Sequence, residues 1–106
     1  MERKFTEGDY AYSSWGYDQT NVDFYKVVKT TADWVTLAPV AQLETEAGPF
    51  VGWTTPDTTS EPRIDKKIRR KIMRYDFSPG ESAAYAKSYG AIFPYEGKPV
   101  MFSWGH

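Results

Sequence analysis

Aromatic rings, far more than branched aliphatic chains, must fill the interior of this protein. Its 106 residues include six Phe, eight Tyr and four Trp, against two Leu and four Ile. Rings of that size sit more comfortably on the pleated surface of a strand than on the crowded face of a helix. A chain of this length makes one domain, spanning 1–106, and buries roughly 65% of the surface its unfolded form exposes, enough for a single modest core. With 41% hydrophobic and 25% charged residues, the composition is that of an ordinary soluble protein rather than a disordered or fibrous one.

Period-two alternation, broken by Gly, Pro, Asn and Asp, carries the strand assignments. Gly8-Asp9 reads as a turn entering Tyr10 to Trp15, with Tyr10 and Tyr12 on one face and Ala11 and Trp15 on the other. Val22 to Lys29 is apolar on both faces, as in a strand covered from two sides. Thr30 to Asp33 turns the chain, and Trp34 to Val40 returns antiparallel to it, with Val35 and Leu37 facing one way. Gln42 to Thr45 can extend the third strand, but Gly48-Pro49, Thr54-Thr55-Pro56-Asp57 and Glu61-Pro62 punctuate everything after it, so 41–62 reads as a long surface loop pinned by Phe50 and Trp53. Ile64, Ile68 and Ile72 fit either a helix or one face of a strand; a strand from about Ile68 to Tyr75 is favoured, with room for a short helical turn before it. Asp76 to Gly80 is a turn, Ala83 to Phe93 is strand-like, and Tyr95-Glu96-Gly97-Lys98 is a candidate hairpin leading into Pro99 to Trp104. The expected fold is all-β: a small SH3-like barrel of five to six short antiparallel strands with a long central loop, closed so that no edge is left unpaired.

Charge is distributed unevenly. Residues 1–60 carry nine acids and four bases, and residues 61–106 carry five acids and nine bases, so a formal net charge of −1 hides an acidic first half and a basic second half. Seven of the thirteen bases are Arg63, Lys66, Lys67, Arg69, Arg70, Lys71 and Arg74. Such a run can contact phosphates, as on a nucleic acid or a small anionic signalling nucleotide; it can equally solvate the outer face of an edge strand and discourage edge pairing. Exposed rings among the bases would favour the stacking of single-stranded bases, and Tyr75, Phe77, Tyr85 and Tyr89 lie downstream of the run.

The densest segment is Ser14 to Tyr25, which sets four large aromatics among six hydrogen-bonding side chains. Asp18, Gln19, Thr20, Asn21 and Asp23 can satisfy one another and the backbone, fixing a sharp connection between strands. Beside Trp15 and Tyr17 they also suit a recognition edge, with rigid rings as anchors and polar groups setting orientation. Asp18 and Asp23 alone are too few for a divalent cation, and no cofactor motif or metal-ligand set occurs. The string Trp15-Gly16-Tyr17-Asp18-Gln19-Thr20-Asn21-Val22-Asp23-Phe24-Tyr25, followed by the Val27 to Leu37 hairpin and by Glu96-Gly97-Lys98-Pro99, resembles a family of small uncharacterised proteins encoded by bacteriophages and prophages. The resemblance implies a shared fold and a bacterial host cell as the setting, and transfers no catalytic residue.

Catalysis has little to work with. His106 is the single histidine and stands last, where fraying would defeat acid-base positioning. There is no Cys, which removes thiol nucleophiles, disulfides and thiolate metal sites and makes a cytoplasmic setting natural. No apolar run approaches the ~20 residues of a membrane span, and Met1-Glu2-Arg3-Lys4 leads into no signal-peptide core. The reading is a non-enzymatic binding module for a host or phage protein, using Trp15, Tyr17, Asp18, Gln19 and Asn21, with nucleic acid at the basic run as the alternative.

Overall fold

The computed structural model describes residues 4–15, 20–75, 78–84 and 91–103. Nine strands occur among them: β1 (Tyr10–Trp15), β2 (Asn21–Thr30), β3 (Trp34–Val40), β4 (Gln42–Gly48), β5 (Val51–Pro56), β6 (Ile68–Tyr75), β7 (Ser78–Ala84), β8 (Ala91–Pro94) and β9 (Val100–Ser103). Six close into an antiparallel barrel in the order β1-β2-β3-β6-β7-β8, with β8 returning to β1. The other three form a separate antiparallel sheet, β4-β5-β9. The all-β barrel expected from alternation is therefore present, and the β2–β3 hairpin is paired as the sequence indicates.

Alternation decides the barrel interior. Ala11, Tyr25, Val27, Val35, Leu37, Ile72, Ala83 and Ile92 point inward and form one buried cluster, which Phe5 joins from outside the strands and Ile68 flanks. Small residues at Ala11 and Ala83 leave room for Tyr25 and Ile92, which lie opposite them in register. The other face of β2 is buried as well, at Val22 and Phe24, because the second sheet approaches it. There β5 turns Gly52, Thr54 and Pro56 inward, and Tyr95 meets the Phe24 ring edge-on with centroids 5.4 Å apart. Two-sided burial of β2 thus reflects two packed layers, each taking one parity of the same strand.

The second sheet corrects two expectations. Residues 42–56 are a β-hairpin, not part of a long loop; only 57–62 remain a connection before a 3₁₀ turn at Ile64–Lys66. Gly48-Pro49, read as an interruption, makes the hairpin turn with Phe50 at φ 62°. Phe50 and Trp53, expected to pin a loop down, are 53% and 45% exposed. The strand pattern was hidden because β4 is almost wholly exposed and so carries Glu and Thr where a half-buried strand would alternate with apolar residues. Tyr95 to Lys98, expected to join a hairpin, instead carries the chain out of the barrel: β8 pairs with β1 and β7, whereas β9 pairs with β5. Tyr95 N–H donates to the Tyr10 carbonyl at 2.9 Å at the point of departure, and Gly97 takes φ 89°, which a side chain would resist.

At one site within the second sheet there is no room for a side chain. Gly52 lies opposite Phe102 in register, and a Cβ there would stand 2.7 Å from the Thr45 carbonyl oxygen and 2.8 Å from the Phe102 ring. The ring covers the bare backbone, an arrangement that compensates a strand glycine for its missing side chain. Among the described residues no helix is long and apolar enough to cross a membrane.

Candidate functional site

Two surfaces concentrate chemistry, one concave and acidic, the other convex and basic. The concave one is a cleft of about 660 Å³ between the start of β2 and the second sheet. Thr20, Asn21, Val22 and Asp23 line one side, Gln42, Glu44 and Glu46 another, and Phe102 and Ser103 the third. Alternation along β4 puts Gln42, Glu44 and Glu46 on the same face, and Gln42 Nε2 donates to Glu44 Oε2 at 3.2 Å. Two hydrogen bonds fasten the segment before β2 to β9: Thr20 N–H donates to Ser103 Oγ at 2.9 Å, and Ser103 N–H donates to the Thr20 carbonyl at 3.0 Å. The cleft therefore has a fixed polar wall rather than a loose loop on its β2 side.

Of the expected recognition edge, Asn21 lines this cleft. Tyr17, Asp18 and Gln19 and the Trp15 side chain lie outside the described residues. The glutamates of β4 are invisible to a reading that treats most of 41–62 as loop; the Gln42-x-Glu44-x-Glu46 spacing, a period-two polar stripe, is the signal that exposes them. Among the described residues no group of three or more acids or histidines is close enough to hold a metal ion.

The convex surface is the outside of the barrel over β2, β3 and β6. Cross-strand pairing sets Lys29, Thr36 and Arg69 on one rung and Trp34 beside Lys71 on the next. The Arg69 guanidinium lies over the Trp34 ring, 4.2 Å from its centroid, and one rung away Lys26 lies over Tyr10 at 5.7 Å. The basic run is divided by this geometry. Arg69 and Lys71 face outward, whereas Arg70 shares the parity of Ile68 and Ile72 and is half-buried, its Nη1 donating to the Arg69 carbonyl at 3.0 Å. Arg63 pairs with Asp65 at 3.4 Å before the 3₁₀ turn, and Lys66 and Lys67 stand exposed in and after it. The Arg74 side chain lies outside the described residues, as do Phe77, Tyr85, Tyr89 and the Tyr75 side chain, the rings expected to stack bases. β6 is no edge strand, since β3 and β7 pair with it on either side, so these bases are not needed to guard an open edge. Trp34, Lys29 and Lys26 join them only through strand pairing, which no local motif announces.

Tyr95, just past the end of β8, is half-buried against Phe24, and burial pushes its phenol pKa above the ordinary value of 10.0. Tyr12 lies 6.3 Å from it, ring to ring, and Phe93 6.0 Å from Tyr12, completing an aromatic patch on the barrel exterior. Comparison with protein-family models, with curated proteins and with solved structures finds no match to this chain.

Proposed function

We propose that the protein is a non-enzymatic binding module whose acidic cleft accepts an extended, Lys- or Arg-bearing segment of a partner protein. The observation that carries this reading is the placement of Glu44 and Glu46 on one face of β4, across the cleft from Asn21 and Asp23. β4 ends its sheet among the described residues, pairing only with β5, so its outer backbone groups are open to an added strand. Strand addition draws affinity from main-chain hydrogen bonds and specificity from alternate side chains, and here the alternate positions are carboxylates. Like charges opposed across a ladder are unfavourable, so the same glutamates disfavour pairing of β4 with its own copy while favouring a basic strand. Val22 and Phe102 supply an apolar floor for the aliphatic stems of Lys or Arg.

The motif resemblance supports a phage or prophage setting, with a host or phage protein as the partner; the absence of Cys suits action in the bacterial cytoplasm, and a closed barrel of short antiparallel strands suits an SH3-like one. Calorimetric titration with a short arginine-rich peptide tests the cleft directly, and affinity capture from bacterial lysate, with crosslinking to β4, seeks the natural partner. Saturable peptide binding that weakens about tenfold or more in Glu44→Gln/Glu46→Gln, with the fold retained by circular dichroism, is the expected result. Unchanged affinity in that variant would send the recognition surface elsewhere.

A further inference from the structure

The basic barrel exterior is separate from the cleft and carries the opposite charge. We infer that the outer face of β2, β3 and β6 binds single-stranded nucleic acid, with Lys29, Lys67, Arg69 and Lys71 contacting phosphates and a base stacking against Trp34. Three observations converge on that occupant. First, the ladder register gathers the cations: Lys29 and Arg69 flank Thr36 on one rung, Lys71 lies on the next, and Lys67 shares the exposed parity of β6 just before it begins. Residues two apart on a strand stand roughly 6.6 Å apart, close to the spacing of neighbouring phosphates on an extended single strand. Second, Trp34 is 37% exposed on the end rung of this patch, beside Lys71, and the Arg69 guanidinium is already stacked on it. A base can continue that stack, whereas duplex bases hide their faces from a convex surface. Third, acids near these bases are few: Asp65 is engaged with Arg63, Glu7 accepts the Thr30 N–H at 3.2 Å, and Asp9 and Asp33 sit in the turns before β1 and β3. An acidic peptide would answer the charge, but only a nucleic acid pairs each anionic group with a flat ring.

Fluorescence anisotropy with labelled oligo-dT, oligo-U and a DNA duplex tests this, alongside sedimentation with anionic-lipid vesicles. Single strands should bind in preference to duplex, and the stronger of the two single-strand arms identifies DNA or RNA as the natural class. Arg69→Ser/Lys71→Ser should flatten the plot of log affinity against log salt by about 1.4, two lost contacts at about 0.7 each. Trp34→Ala should weaken single-strand binding about tenfold, as expected for one lost base stack, and abolish the preference over duplex. Both variants alter exposed side chains and can be checked by circular dichroism; should Trp34→Ala fail to fold, the salt plot of the serine variant decides. Glu44→Gln/Glu46→Gln should leave oligonucleotide affinity unchanged. Absence of binding at low salt, equal binding of duplex and single strand by wild type, or binding of vesicles but not oligonucleotides would each overturn the inference.

Discussion

The acidic cleft and the basic exterior share β2, the cleft at its first residues and the exterior near its last, yet they are built in different ways. The exterior belongs to one hydrogen-bonded ladder, so the positions of Lys29, Trp34, Arg69 and Lys71 follow from register alone. The cleft is assembled from two sheets, and its shape depends on how they meet: Phe24 of β2 against Tyr95 in the connection between β8 and β9, and Thr20 tied to Ser103. A surface inherited from a ladder tolerates loss of neighbouring packing, whereas one created by docking disappears with it.

Phe24→Ala attacks that difference hardest. Phe24 is 1% exposed, and truncating a buried Phe costs about 3–5 kcal/mol, a large part of a small domain's stability. Denaturant unfolding should show that loss, and amide exchange should show β5 and β9 losing protection before β3 and β6. Equal loss across all four strands would dissolve the distinction between docked and inherited surfaces.

Gly52→Ala is a gentler change that disturbs the second sheet from within. The added methyl meets backbone at Thr45, which cannot swing away, so overpacking of about 1–3 kcal/mol is expected together with weakened binding of an arginine-rich peptide. Oligonucleotide affinity should not change, since Gly52 touches no part of the basic face. Ser103→Ala removes only the acceptor for the Thr20 N–H, and should cost about 1 kcal/mol in thermal or denaturant unfolding. A larger loss of peptide affinity than of stability in that variant would show that the cleft wall, rather than the fold, depends on the tie.

The finest probe is pH. Burial raises the folded-state pKa of Tyr95, so above the ordinary Tyr value of 10.0 the unfolded chain releases this proton while the folded chain still holds it. Stability contributed by the neutral phenol is therefore fully present below pH 10, and declines as pH rises from there through the folded-state pKa. Tyr95→Phe should remove that component of the alkaline decline without changing stability at neutral pH by much. An identical alkaline profile in the variant would mean that other groups govern it.

Most of the barrel was legible. Val35 with Leu37, and Ile68 with Ile72, share a face by alternation and lie in or against the core, whereas β2, apolar on both faces, left open which of its parities would line the barrel. The β2–β3 hairpin was legible because two apolar strands flank a short polar turn. The second sheet was not, because β4 is exposed and leaves no apolar stripe, and because a turn motif at Tyr95 to Lys98 looks the same whether the next strand folds back or departs. The basic run was conspicuous, but Arg70 facing inward and Trp34 beneath Arg69 required knowing which strand lies next to which.

Side-chain alternation is a property of the extended backbone itself, so the order of residues along the chain determined that this protein is built of strands, where most of the barrel strands run, and which of their side chains share a face. Pairing and docking join residues far apart in sequence, and their energies depend on contacts that exist only after the chain has closed. For that reason only the tertiary structure decided that β9 joins β5, that an acidic cleft opens beside Asn21, and that Trp34 stands among the bases of β6.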